Sequence, residues 1–105
     1  MESNREILEI IKSTARKYIT GSEVMLFGSR ARKDSVSDSD YDILILTDQI
    51  LTIQEKFPLK TSIRKELLKS GIRCDILIQN HKEAEIKKNL PGHILRTIFK
   101  EAVIL

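Results

Sequence analysis

The stretch from Phe27 to Leu46, FGSRARKDSVSDSDYDILIL, constrains this chain more than any other. A Gly-Ser pair closes one short apolar run, and after ten intervening residues two aspartates spaced by one, Asp40 and Asp42, open a second. Side chains on a strand repeat their direction every second residue, so Asp40 and Asp42 project to the same side, about 6 to 7 Å apart. Carboxylates held that close repel unless a cation neutralises them, and a hard ion such as Mg²⁺ takes oxygen donors of this kind. At the other end of the stretch, Gly28 lets the backbone approach a phosphate, and a helix starting at Ser29 aims free N–H groups at it. The Ser29 hydroxyl is a further donor, and Arg30 and Arg32 add positive charge. A Gly-Ser at a strand end is by itself most often a turn; the acidic pair downstream gives it force.

The flanking segments predict an α/β chain. Ser3 and Glu6 have capping-box spacing, and Ile7, Ile11, Ala15 and Tyr18 recur as one helical stripe, which predicts a helix from Asn4 to about Ile19. Gly21 suits a left-handed helix end, and Glu23 to Phe27 reads as a buried strand. The polar segment from Asp34 to Asp40 reads as a loop, and Tyr41 to Thr47, apolar on both faces after Asp42, as a central strand. Thr52 and Glu55 again have capping-box spacing, but Pro58 predicts a short helical turn, a break, and then a helix carrying Leu59, Ile63 and Leu67. Gly71 ends that helix and Ile72 to Gln79 forms a third strand containing Asp75. Asn80 caps a helix over roughly Lys82 to Lys88, Pro91-Gly92 separates it from a last helix bearing Ile94, Leu95, Ile98 and Phe99, and the tail AVIL pairs as an edge strand. The expectation is a small mixed sheet of three to four strands with helices packed on it, in one domain spanning residues 1–105.

Composition narrows the classes. An apolar fraction of 41% supports a packed core, with Ile and Leu rather than aromatics supplying the burial. The net charge of +3 favours anionic ligands without demanding nucleic acid, and the basic residues from Lys56 to Lys69 come with no aromatic stacking platform. Cys74 is the only cysteine, which excludes an internal disulfide and a thiolate-rich zinc site and fits a reducing compartment. MESNREILEI has no signal-peptide pattern and no apolar run approaches the ~20 residues of a membrane helix, so a soluble, cytoplasmic protein is expected. His81 and His93 stand alone near helix starts and read as surface residues. The segment from Asp38 fails as a calcium loop, because position 6 is Ile43 instead of Gly and position 12 is Gln49 instead of Glu.

If the third strand lies beside the second, Asp75 joins Asp40 and Asp42. Its apolar neighbours Ile76 and Leu77 make an unpaired Asp75 costly, which a functional role or an ion pair to Arg73 or Arg64 would each remove. Phosphate donors beside carboxylates that hold two metals are what phosphoryl or nucleotidyl transfer requires. FGSRAR, the ten-residue gap and DYD resemble the Gly-Ser, gap, Asp-x-Asp signature of the DNA polymerase beta nucleotidyltransferase superfamily, and the short chain is similar to its minimal nucleotidyltransferase branch.

That resemblance covers nearly the whole chain. It implies a polymerase-beta-like nucleotidyltransferase core in which Gly28 and Ser29 bind the triphosphate of ATP, Asp40 and Asp42 bind Mg²⁺, and Asp75 completes the metal and catalytic site that activates an attacking hydroxyl. Family members usually carry Gly after the Ala-Arg pair, where this chain has Lys33, and a positive φ there is unfavourable for Lys. Tyr41, between the metal aspartates, faces away from them and reads as a packing residue. Many members of this branch resemble antitoxins that transfer AMP to a tyrosine of a HEPN-family ribonuclease toxin, which implies such a toxin as partner in a hetero-oligomer. Two rivals stand beside this reading: a non-catalytic module that neutralises its partner by complex formation, and a transferase acting on a small molecule or an RNA end. Relatives of the latter kind carry an acceptor-binding domain that 105 residues leave no room for, so a separate protein is expected to bring the hydroxyl.

Overall fold

The computed structural model describes residues 4–33 and 40–105. Ser3, half of the first capping box, and the polar segment through Ser39 lie outside them. Helix α1 (Asn4–Tyr18) buries Ile11 and Ala15 and leads through Ile19 and a left-handed Gly21 (φ +74°) into strand β1 (Glu23–Phe27). A one-and-a-half-turn helix, α2 (Gly28–Arg32), follows directly. Strand β2 (Tyr41–Thr47), helix α3 (Ile53–Lys69), strand β3 (Cys74–Asn80), helices α4 (His81–Lys87) and α5 (Ile94–Glu101), and strand β4 (Val103–Ile104) complete the chain.

The expected break at Pro58 is absent: α3 runs unbroken through it. Thr52 and Glu55 cap the helix reciprocally, with Glu55 N–H donating to Thr52 Oγ1 (3.2 Å) and Thr52 N–H to Glu55 Oε1 (3.0 Å). Pro58 itself is exposed, so water reaches the carbonyl left without its donor. A mid-helix proline costs about 3 kcal/mol, whereas full burial of Ile63 and Leu67, both 1% exposed, contributes about 1.5 to 3 kcal/mol each. Tertiary packing outweighs the local penalty. Strand β3 also starts later than its apolar run, because Arg73 still precedes the ladder and gives its carbonyl to the Tyr41 N–H (2.9 Å).

The sheet is mixed, in the order β3-β2-β1-β4. Strand β1 pairs antiparallel with β2 and β4, and α3 carries the chain across to bring β3 parallel to β2. Alternation along the strands divides the core into two faces. Val24, Leu26, Tyr41, Ile43, Ile45, Cys74, Ile76 and Ile78 meet α1 and α3, and Met25, Leu44 and Leu46 meet α4 and α5. Asn80 closes the far end of the sheet: its side-chain amide donates to the carbonyls of Thr47 (3.3 Å) and Gln49 (3.2 Å), while its Oδ1 caps α4 at Lys82 N–H (2.9 Å). Among the described residues no helix is long and apolar enough to cross a membrane.

Candidate active site

Pairing register brings the sequence-predicted residues to one end of the sheet. Phe27 lies opposite Asp42, and Asp42 lies opposite Asp75, so Asp42 on β2 sits between Asp75 on β3 and the end of β1, where Gly28 opens α2. Asp42 and Asp75 alternate with the residues that face α1 and α3 and therefore point to the α5 side. Tyr41 points the opposite way into the core, 7% exposed, as expected of a packing residue.

Gly28 is buried and has φ +74°, and a Cβ added to it would overlap the Asp42 carboxylate. Backbone and carboxylate thus meet without a side chain between them, which only glycine permits. Asp42 is half-buried, and its carboxyl is held above the usual aspartate range, chiefly by burial, then by the charges of Asp75 and Asp40, with Arg32 opposing and Glu101 adding to the rise. Substituting Asp75 by Asn is expected to lower the Asp42 titration midpoint, and Glu101→Gln to lower it by less, read by carboxyl ¹³C NMR.

The remaining candidates divide. Asp75 is exposed, so the desolvation cost expected from its apolar neighbours does not arise, and Arg73 pairs with Asp40 instead (3.4 Å). Arg32 lies with the cluster, whereas Arg30 stacks over the Tyr41 ring at 4.4 Å, on the face away from Asp42. Ser29 is half-buried in α2, and its carbonyl accepts the Lys33 N–H. Among the described residues no three His, Cys, Asp or Glu side chains are grouped closely enough to hold a metal ion. Cys74, on the opposite face, is buried, and its thiol is pushed up to about 12 by burial and by the three aspartates, so it is an inert core residue.

Lys33 has φ +62°, the left-handed conformation that the sequence marked as unfavourable for it. Removing its Cβ should relieve part of the roughly 1 to 2 kcal/mol that this conformation costs an L-residue, offset by the greater freedom of unfolded glycine. Lys33→Gly is expected to raise stability by up to about 1 kcal/mol, read as an upward shift in Tm of several degrees.

Glu101 belongs to this site and the motif pattern did not contain it. Its Oε1 accepts the Gly28 N–H (3.1 Å) and its Oε2 the Arg32 guanidinium (2.9 Å), so a carboxylate rests on the donors expected to face a phosphate. A signal was present: an acid at the last residue of α5 opposes the helix dipole, a local inconsistency that asks for a tertiary partner.

The sequence pattern of the family described as Polymerase beta, Nucleotidyltransferase matches residues 9–101. An inferred protein adenylyltransferase of Methanocaldococcus jannaschii is 38% identical over 78 residues, covering 70% of this chain and 75% of that one. A solved structure assigned as a minimal nucleotidyltransferase superposes with a TM-score of 0.60 at 25% identity, covering 96% of this chain and 91% of its own. A toxin-antitoxin assembly crystallised with AMP-PNP contains a chain of the same fold, with a TM-score of 0.64 at 16% identity, covering 91% of this chain and 69% of its own.

Proposed function

Because this chain belongs to the polymerase beta nucleotidyltransferase family, we propose that it transfers AMP from Mg-ATP to a hydroxyl of a partner protein, a tyrosine of a HEPN-type toxin, and so acts as an antitoxin. The reading rests on one observation, the register that sets Asp42 beside Asp75 and packs its carboxylate against the side-chain-free face of Gly28. The relative named for protein adenylylation supports the acceptor class, and the toxin-antitoxin neighbour supports the partner class by fold alone.

The donor types suit Mg²⁺: Asp40, Asp42 and Asp75 carry hard oxygen donors at one end of the sheet, and the charges of Asp75 and Asp40 add to the burial that holds the Asp42 carboxyl up. Asp40, Asp42 and Asp75 would hold the metal, which when bound neutralises them and offsets charge on the reacting phosphate. Asp40 would then exchange Arg73 for the ion. The Gly28 backbone and Arg32 orient the triphosphate once Glu101 has given way. Asp75 takes the proton of the acceptor hydroxyl, whose oxygen forms a bond to the α-phosphorus. The bond from that phosphorus to the β-phosphate bridging oxygen breaks, and pyrophosphate leaves with the electron pair.

The test is to incubate the protein with ATP, Mg²⁺ and the product of the neighbouring gene and to weigh the intact partner. Added AMP mass is the expected result. An unmodified partner held inhibited in a stable complex would replace this reading with a non-catalytic binding module.

A further inference from the structure

Strand β3 is an edge of the sheet, and among the described residues its outer backbone pairs with nothing. A groove follows that edge beneath α3. At the site end it is a hollow of about 240 Å³ lined by Phe57, Lys60, Thr61, Arg64, Asp75 and Ile76. It runs on past Phe57 and Lys60 into a second hollow of about 160 Å³, with Ile53, Leu77 and Gln79 on its walls. Ile53 and Phe57 are 81% and 70% exposed, one helical turn apart on α3. Lys56 is already engaged by Glu83 at 3.9 Å, whereas among the described residues no carboxylate lies within ion-pair distance of Lys60 or Arg64.

An open strand edge offers a ladder of unpaired N–H and C=O groups, the template for adding an extended segment. A segment laid along β3 and parallel to it, as β2 is on the other side, would alternate its side chains between the two faces of the sheet. The residue opposite Asp75 would turn its side chain to the Asp75 and Asp42 face, and its neighbours would turn theirs towards α3. Near Asp75 those neighbours meet Lys60 and Arg64, which favour acidic side chains, and towards Gln79 they meet Phe57 and Ile53, which favour apolar ones.

We propose that the groove between α3 and the free edge of β3 docks the protein acceptor, taking an extended segment whose reactive hydroxyl residue is flanked by acidic residues and followed by apolar ones. The proposal rests on the AMP-transfer reading above. Recognition sits on one face of the sheet and chemistry on the other, and the two-residue period of the docked strand joins them. The transferred group and its electron balance are those already given: the acceptor oxygen gains the α-phosphorus, its proton goes to Asp75, and pyrophosphate departs.

The test compares the full chain with its K60E/R64E variant, using the neighbouring gene's product as acceptor at a series of concentrations. The expected result is a rise in the acceptor KM of tenfold or more, with kcat changed by less than about twofold and Mg-ATP binding unchanged. A second arm presents acetyl-Ala-Glu-Tyr-Glu-Ala-Val-amide, whose Val lies three residues after the Tyr and so on the α3 face, and its counterpart with both Glu replaced by Lys; only the acidic peptide should gain AMP, and Phe57→Ser should weaken its use. A wild-type protein that modifies its partner while K60E/R64E does so with the same KM overturns the groove and leaves the AMP-transfer reading standing. A wild-type protein that modifies nothing removes that reading and the groove with it. Competition at Lys60 and Arg64 by oligouridylate, with no use of the acidic peptide, would reassign the groove to RNA and overturn the proposal.

Discussion

Asp42→Asn is expected to abolish AMP transfer while making the protein more stable. Asp42 lies directly opposite Asp75 in the parallel ladder and against the backbone of Gly28, half-buried among like charges. Like charges directly opposite on neighbouring strands destabilise, on the scale of about 0.2 to 1 kcal/mol that such pairs carry, and asparagine keeps the shape while removing the charge. A gain of up to about 1 kcal/mol raises Tm by about 4 to 8 °C in a domain of this size. The transfer rate should fall on the order of 10³-fold or more, the scale seen when a preorganised charge-stabilising group is lost. The pH dependence has a fixed sign. Because the folded Asp42 titrates above the model value of 3.8, its proton favours the folded state, and that advantage is complete below this value and is lost as pH rises through the folded midpoint. The stabilisation by asparagine is therefore largest at neutral pH and vanishes in acid, where aspartate is itself protonated in both states. Thermal melts of both proteins across pH measure it, and a lower Tm for D42N at pH 7, or undiminished transfer, would sink the assignment.

Gly28→Ala carries the second large effect. A left-handed conformation costs an alanine about 1 to 2 kcal/mol, and the new Cβ must also displace the Asp42 carboxylate, which Phe27 pairing and the β3 ladder hold in place. Together these should cost about 2 to 4 kcal/mol, lowering Tm by roughly 10 °C or more. Gly21 serves as the control: it has the same φ, +74°, and a Cβ there would meet nothing within 4 Å. Gly21→Ala should show the backbone cost alone. Equal losses at the two positions, by denaturant titration, would mean that the packing between Gly28 and Asp42 is not tight.

Much of this arrangement was legible in local pattern. The apolar run after Asp42 announced a central strand, the Thr52 and Glu55 pair announced a helix start that the side chains form reciprocally, and Lys33 stood where a positive φ was due. Non-local pairing decided the rest. Nothing within a few residues of Asp75 says which strand it will lie beside, and its exposure follows from its place at the start of an edge strand. Pro58 misled because helix propensity is local while the burial of Ile63 and Leu67 is tertiary. Arg30 and Arg32 look equivalent in sequence, yet α2 is helical, so residues two apart point to different sides: one stacks on Tyr41, the other joins Glu101.

The grip of Glu101 on Gly28 and Arg32 ties the end of the chain to the turn after β1 across 73 and 69 residues. The same helix continues through Ala102 into β4, which forms the edge of the sheet against Met25 and Leu26. An anion arriving at the Gly28 N–H would compete with Glu101 for the same donor, at the point where α5 leads into the edge strand. On the proposed function, in which nucleotide takes the Gly28 turn, linkage would make the relation reciprocal: a partner that clamped the C-terminal segment would change affinity at the turn by the free energy nucleotide spends in freeing it. The carboxylate at residue 101 thus stands where those two surfaces would meet, one side chain holding both the turn after β1 and the helix that ends in β4.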